Sequence, residues 1–401
     1  MVISNKIAPI LHGSSAIRKL FEEGKELAEK VGAENVYDYS LGNPSVPAPD
    51  VVRDTIVRLV TDEDPLFIHG YMNNAGYEQV RQAVADNLNE RFGASFTVND
   101  IVMTVGACGG MNDILNLFLD PGDEVVVFAP FFGEYSNYVR VAGGQLRAVP
   151  AAADGKFGLN LDAFQDYVNE KTKLVIVNNP NNPSGVIYSG QQLDRLQQEL
   201  EKAEQRIGHP LYVISDEPYR DLVYDDNVLP YMPDHIRNCF IVFSFSKTLS
   251  LPGERIGYVA VSNKMDSYEV IREGINVTNR IGSVNAPSLM QLTIKECLNA
   301  RAAVEVYDRN RRLLYDKLTS LGLECVRPQG AFYLLVKSPI KDYKTFVAKA
   351  KEQHILMVDA DSFGAPGYVR LAYCVSEDMI LRSFPAFERL MQACAGCEKA
   401  Q

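Results

Sequence analysis

Residues 239–260 read CFIVFSFSKTLSLPGERIGYVA. The opening CFIVF is apolar, β-branched or aromatic throughout, the pattern of a strand buried on both faces. The chain then turns polar at Ser244, Ser246, Lys247 and Thr248 before a second apolar run, IGYVAV. A lysine therefore stands at the end of a core strand. Such a lysine ordinarily snorkels its ammonium to solvent, but the residues around this one point elsewhere.

Arg255 lies just past the LPGE turn, and two serines precede the lysine. Hydroxyls and a guanidinium then meet at one strand end and make an anion site beside an amine. A lysine in apolar surroundings near a second cation loses part of its proton affinity, because desolvation and like charge both disfavour the ammonium. The neutral amine is a nucleophile toward an aldehyde. An anion site next to a Schiff-base lysine is what pyridoxal 5′-phosphate requires, since that cofactor carries a phosphate at one end and an aldehyde on its ring. A second signal, for the ring nitrogen, is then expected elsewhere in the chain.

The 401 residues allow about two to three domains at ~150 residues each. A hydrophobic share of 46% and a charged share of 23% describe an ordinary soluble globular chain. No run approaches the ~18 apolar residues of a membrane span, and residues 1–30 lack the apolar stretch of a secretion signal, so the expected address is the cytoplasm. Forty basic against 51 acidic residues give a net charge of -11, which speaks against a nucleic-acid footprint. Seven scattered cysteines fit free thiols in a reducing compartment. Cys394 and Cys397 form a CxxC with no second pair or histidine cluster, so no metal site is expected.

Taken in order, residues 14–31 place Ile17, Leu20, Phe21, Leu27 and Val31 on one helical face. The stretch YDYSLGNPSVPAP at 37–49 reads as a strand breaking into a loop, and DVVRDTIVRLV opens a helix with Asp50 as its expected N-cap. A further helix covers 77–92. Residues 100–132 then read strand, glycine turn, helix, Pro-Gly turn, strand: a βαβ unit. Gly106, Gly109 and Gly110 form G-x-x-G-G rather than G-x-G-x-x-G, and no acidic residue ends a second strand ~20 residues on, so NAD is excluded. Gly106, Ala107 and Cys108 nevertheless present free helix N-terminal amides to a phosphate.

Two more buried-strand patterns follow, KLVIVNNPNNPSG at 173–185 and PLYVISDEPYRDLVY at 210–224. With helical stretches between them they predict an α/β domain on a mostly parallel sheet. In such sheets ligands bind beyond the carboxyl ends of the strands, where Asn182, Asp216 and Lys247 all fall. Asp216 follows the apolar run YVIS, so its carboxylate is expected to be partly buried and to need a cation. A protonated pyridine nitrogen is such a cation, and the pairing turns the ring into an electron sink. Tyr219 and Asn182 can reach the cofactor's phenolic oxygen.

NNPNNPSG, SDEPY, and SFSK followed by GERIGY together resemble the class I/II aminotransferases of the fold type I pyridoxal-phosphate enzymes. The resemblance covers nearly the whole chain. It implies that Lys247 forms the Schiff base, Asp216 pairs with the ring nitrogen, and Tyr219 and Asn182 bind O3′. It gives Ser244, Arg255 and the amides at Ala107 and Cys108 to the phosphate, and Phe132 to the face of the ring. Gly42 and Arg370 look like the pair that receives the substrate α-carboxylate, for which a guanidinium fork is suited. Tyr71 resembles the tyrosine that a neighbouring subunit lends to the phosphate, which implies a homodimer with shared active sites. Two departures stand out. Ala107-Cys108 occupies a place where relatives often carry hydroxyl or amide side chains, and the stacking position holds Phe rather than Tyr or Trp.

The implied architecture is a three-layer large domain, residues 47–289, carrying the cofactor on its mostly parallel sheet. A smaller α+β domain is built from the N-terminal segment, 1–46, and residues 290–401, and brings in Arg370. The implied reaction is ping-pong amino transfer between an L-amino acid and a 2-oxo acid. Arg280, shortly before Asn285 in NRIGSVNAP, lies at the offset of the arginine that grips a distal carboxylate in dicarboxylate-specific relatives, which suggests aspartate with 2-oxoglutarate as acceptor. A C–S β-lyase of the same fold is the alternative, because it would use the same lysine and aspartate. The aminotransferase-like transcription regulators are set aside, because the expected enzyme-like part begins near residue 1 and the acidic charge offers no DNA-binding surface.

Overall fold

Runs of valine and isoleucine too apolar for an exposed face lie side by side, and the packing follows from that. The computed structural model describes residues 2–12 and 16–399. Among the described residues twelve strands occur: β1 (Tyr37–Asp38), β2 (Ile101–Thr104), β3 (Glu124–Phe128), β4 (Gln145–Val149), β5 (Thr172–Asn178), β6 (Tyr212–Asp216), β7 (Cys239–Ser244), β8 (Gly257–Val261), β9 (Tyr333–Lys337), β10 (Ile355–Leu356), β11 (Val358–Asp359) and β12 (Tyr368–Ala372).

Seven of them form one sheet in the order β2-β8-β7-β6-β5-β3-β4. Neighbours from β4 through β7 pair parallel, and β8 runs antiparallel to both β7 and β2. The expected mostly parallel α/β sheet is therefore present. Every residue of β2, β3, β6, β7 and β8 is buried, as continuous apolar runs require when helices cover both faces. The faces are sorted by the two-residue period. Val125 and Val127 pack with Met111, Ile114, Ile271 and Ile275 on one side; Val126 packs with Leu193, Leu196 and Leu200 on the other. The result is three layers.

β2 and β3 do flank the Gly106–Phe118 helix as a βαβ unit, but β8, β7, β6 and β5 stand between them. The helix therefore packs on one face of the sheet, against β8 and β7. A second antiparallel sheet, β11-β12-β9, and the parallel pair β1-β10 lie apart from the first. Leu334, Val336, Val369 and Leu371 share a core there with Leu314, Leu318, Ile380 and Phe387, and that core begins at Ala302 after the Tyr39–Val46 stretch and the Tyr219–Tyr224 turn. The Ser288–Lys295 helix belongs elsewhere: Met290, Leu292 and Ile294 pack with Val52, Leu59, Val80 and Leu88.

One local expectation is corrected. Asp50 is not the N-cap but the first residue of the Asp50–Asp62 helix, and Pro49 takes the cap. Proline fixes φ close to the helical entry and has no N–H to satisfy, while the Asp50 carboxylate still opposes the positive end of the helix dipole. The Ala16–Val31 helix lies where 14–31 predicted one; Leu20 and Leu27 are half-buried, whereas the side chains of Ile17 and Phe21 fall outside the described residues. No helix among the described residues is long and apolar enough to cross a membrane.

Asp113 sits on the Gly106–Phe118 helix, where it is buried and its Oδ2 has no hydrogen-bond partner. Burial raises its carboxyl to about 7. A folded-state value above the unfolded one means that the fold binds the extra proton and loses stability as pH rises toward neutrality. The Asp113→Asn variant is expected to gain in melting temperature over the parent as pH goes from about 5 to about 8. A difference that stays flat across that range would remove Asp113 from the pH dependence.

Candidate active site

The carboxyl ends of β5, β6 and β7 converge, and each delivers polar residues that its own strand could not accommodate. Asn178 ends β5, Asp216 ends β6, and Ser244 ends β7. Asn178 locks two of these ends together: its Nδ2 donates to the Asp216 carbonyl at 2.8 Å, and its Oδ1 accepts from the Asn182 backbone N–H at 2.7 Å. Ser244 caps the one-turn helix Phe245–Thr248 by accepting from the Ser246 N–H at 3.1 Å, and its own hydroxyl donates to Ser246 Oγ at 2.7 Å. Lys247 rides on that turn.

A cavity of about 370 Å³ opens there, lined by Gly42, Ala107, Cys108, Phe132, Asn182, Asp216, Tyr219, Ser244, Lys247, Arg255 and Arg370 among others. Residues separated by more than 300 positions in the chain thus share one space. Gly106 adjoins it with φ +66, in the left-handed region, and a Cβ there would stand 2.8 Å from Arg255 Nη2, so only glycine lets the arginine lie against the start of the Gly106–Phe118 helix. Tyr71, 93% exposed, and Arg280, exposed at the end of the Tyr268–Gly282 helix, are the two expected site residues that lie away from this cavity.

The charges in the cavity are unpaired. Among the described residues neither Lys247, Arg255 nor Arg370 takes part in an ion pair, and neither does Asp216. Lys247 Nζ donates to the Gly42 carbonyl at 2.7 Å and lies 5.3 Å from the Phe332 ring centroid. Burial lowers the Lys247 ammonium to about 8, with Arg255 and Arg370 acting in the same sense and Cys374 opposing. Burial likewise raises the Asp216 carboxyl to about 7, against a hydrogen bond from the Tyr135 hydroxyl to its Oδ2. A cation placed against Asp216 would restore its charge.

Arg370, buried on β12, lies over two rings, 4.5 Å from the Tyr333 centroid and 5.0 Å from that of Phe363. Its Nη1 donates to Asn182 Oδ1 at 3.1 Å and its Nη2 to the Ser40 carbonyl at 2.7 Å, while Nε has no partner. Tyr219 Oη stands 3.0 Å from Tyr333 Oη and accepts from Asn182 Nδ2 at 3.4 Å. The Tyr333 hydroxyl also explains Gly42, where a Cβ would lie 2.0 Å from it.

Three contributors escaped the sequence reading. Tyr135, in FFGEY, reads as one more core aromatic, and Tyr333 and Phe363 sit in apolar or turn stretches with nothing to mark them. The signal for Tyr135 was its place three residues after Phe132, on the turn already assigned to the ring face.

The strand-end lysine, the buried aspartate and the arginine lying against a glycine-led helix start fit an α/β enzyme of the fold type I pyridoxal-phosphate class. The family model "Aminotransferase class I and II" matches residues 33–384, and the chain belongs to that family, whose members use pyridoxal 5′-phosphate to move amino groups. It is 31% identical over 364 residues to the aspartate/prephenate aminotransferase of Thermus thermophilus, covering 87% of this chain and 89% of that one. It is 28% identical to the aspartate aminotransferase of Thermotoga maritima, over 98% of this chain and all of the other. Among solved structures, an amino transferase from Eubacterium rectale superposes with a TM-score of 0.94 at 44% identity, over 98% and 99% of the two chains. The Thermus thermophilus aspartate aminotransferase solved with maleate gives 0.85 at 26%, over 97% and 100%. These names do not favour the C–S β-lyase alternative.

The unpaired cations make the amine testable without cofactor. Reductive methylation of Lys247 in the cofactor-free protein, followed by peptide mass, is expected to show a pH midpoint near 8 rather than at the 10.5 of an ordinary lysine. Arg370→Gln removes a like charge and should move that midpoint upward. A midpoint near that of an ordinary lysine in the parent protein would contradict the site as described.

Proposed function

We propose that this enzyme is an aspartate-type aminotransferase, passing the amino group of an acidic L-amino acid to a 2-oxo acid such as 2-oxoglutarate in ping-pong fashion. The observation that carries the reading is Arg370, a buried guanidinium facing the cavity with neutral acceptors on two nitrogens and none on the third. Such a group calls for a carboxylate, and Lys247 lines the same cavity. The acidic side chain is inferred from the relatives named aspartate aminotransferases and from maleate, a dicarboxylate, in one of them.

On this reading Ser244, Arg255 and the amides at Gly106, Ala107 and Cys108 hold the cofactor phosphate, and Phe132 covers the ring. Asp216, aligned by Tyr135, faces the pyridine nitrogen, and Tyr219 with Asn182 addresses O3′. Bound pyridoxal phosphate supplies the electron sink that makes the substrate Cα proton labile. Gly42 and Arg370 would receive the α-carboxylate and so orient the substrate's Cα toward Lys247, which lines the same cavity. Lys247 Nζ, already part deprotonated near neutral pH, takes the Cα proton and returns it on the product side. Residues 1–46 with the C-terminal part, expected from 290 and sharing a core from Ala302, form the unit that closes over the cofactor held by 47–289. The seven cysteines are free thiols, which fits a cytoplasmic enzyme.

A homodimer with shared sites follows from the two outlying residues. Leu66 and Phe67 precede Tyr71, Ile281 and Val284 follow Arg280, and all four apolar side chains are exposed. The two segments are tied to each other, Asn74 Nδ2 donating to the Val284 carbonyl at 3.1 Å and Asn285 Nδ2 to the Asn73 carbonyl at 2.9 Å. One exposed apolar patch carrying a tyrosine and an arginine fits a second copy. Sizing should then give a dimer at working concentration; an active monomer would remove Tyr71 and Arg280 from the site.

Donors aspartate, glutamate, alanine and an aromatic amino acid, tested against 2-oxoglutarate and pyruvate, are expected to rank the acidic ones first. Arg280→Ala should cost about 2 to 5 kcal/mol in kcat/KM for aspartate and far less for alanine. Equal losses, or no acidic preference in the parent enzyme, would overturn the aspartate assignment while leaving amino transfer intact.

A further inference from the structure

Lys247 lies on a helix of four residues, too short to hold its own geometry. What fixes the lysine backbone must come from outside that turn, and three contacts do so. Ser244 caps its start. The Thr248 carbonyl accepts from the Ala302 N–H at 2.8 Å. The Thr248 hydroxyl donates to Asp221 Oδ2 at 2.9 Å.

Asp221 is itself immobilised. Its Oδ1 meets Arg91 Nη2 at 2.6 Å and Arg301 Nε at 3.1 Å, and its side chain is only 6% exposed. The two oxygens are thus divided, one for the arginines and one for Thr248. Arg91 comes from the Glu78–Phe92 helix and Arg301 from the stretch after the Ser288–Lys295 helix. Asp221 stands two residues past Tyr219, in a turn closed by the Leu222 N–H on the Tyr219 carbonyl at 2.8 Å. The next residue carries the link onward, since the Leu222 carbonyl accepts from the Ala331 N–H at 2.9 Å, two residues before Tyr333. One carboxylate therefore joins the turn that carries Lys247 to the turn that carries Tyr219.

We infer that Asp221 is a positioning residue for Lys247, acting through the Thr248 hydroxyl and braced by Arg91 and Arg301. It touches neither substrate nor cofactor. Its effect is to keep Nζ on the line between the two positions at which it takes and returns a proton, while Tyr219 stays in register with it. The inference rests on the reading of Lys247 as the reacting amine.

Asp221→Asn would leave two half-buried arginines, Arg91 and Arg301, short of their carboxylate and can unfold the region, so the decisive variant is Thr248→Val, which removes one hydrogen bond and keeps the volume. The holoenzyme carrying it is expected to lose about tenfold in kcat, as displaced reacting groups do, with KM for the amino donor within about twofold and the melting temperature nearly unchanged. In the cofactor-free protein the pH midpoint for reductive methylation of Lys247 should rise, because a loosened turn lets the ammonium reach water. Thr248→Ser, which restores the hydroxyl, should recover both values. A kcat within about twofold of the parent, an unmoved midpoint, or a Thr248→Ser variant as slow as Thr248→Val would each overturn the inference. Retained turnover in Lys247→Ala would instead overturn the reading on which it rests.

Discussion

The centre of this fold is organised around three cations and one carboxylate that share a cavity without ion-pair partners. Lys247, Arg255 and Arg370 line one cavity with Asp216, and none of the four is in an ion pair among the described residues. Burying charge without a partner costs several kcal/mol per ion, which a protein accepts only where a ligand or a shifted protonation state relieves it. Both kinds of relief are visible. Lys247 and Asp216 are each pushed toward neutrality, whereas a guanidinium cannot give up its proton near pH 7 and must wait for an anion. The family's cofactor and an amino acid together offer a phosphate, a pyridinium and a carboxylate, the complement of this set.

The same arrangement accounts for the architecture around it. A parallel sheet gathers strand ends on one edge, so residues from β5, β6 and β7 arrive together without long loops. The antiparallel β8 departs from the rule for a local reason: Gly257 begins it two residues after Arg255, and a Cβ there would stand 2.3 Å from the Phe243 carbonyl. The short return strand is what brings Arg255 back to the start of the Gly106–Phe118 helix. Arg370 has to come from the other sheet, where its guanidinium lies over the Tyr333 and Phe363 rings and lines the cavity.

Much of this was legible in the residues because it follows from local rules. Apolar runs ending in Asn, Asp and Ser-Ser-Lys announced buried strands with chemistry at their ends, and the cavity collects eleven of the expected side chains and amides in one place. Strand order was not legible. Periodicity says which residues face the core but not that four strands separate β2 from β3. Asp50 was misplaced by one position because an acidic residue at a helix start suits both the cap and the first turn, and only the extended ψ of Pro49 decides. Tyr135 and Tyr333 were invisible as site residues because a tyrosine in an apolar stretch declares its ring, while the direction of its hydroxyl is set by neighbours distant in the chain.

Charge pairing offers a way to separate residues that serve a ligand from those that serve the scaffold. Beside the cavity, Glu217 and Arg220 are paired at 2.6 Å, with the arginine also donating to Tyr258 at 2.9 Å and stacked 4.7 Å from the Phe243 centroid. Asp221 is paired twice. Glu217 and Arg220 are as buried as Asp216 and Arg370, and in sequence Glu217 follows Asp216 while Arg220 follows Tyr219. They differ in having charge partners, and although Arg220 Nη2 lacks a hydrogen-bond acceptor, their worth lies in geometry rather than in recognition. Within the six residues from Asp216 to Asp221 the chain alternates between the two kinds. The turn that lines the cavity through Asp216 and Tyr219 is thereby tied into the scaffold through Glu217, Arg220 and Asp221.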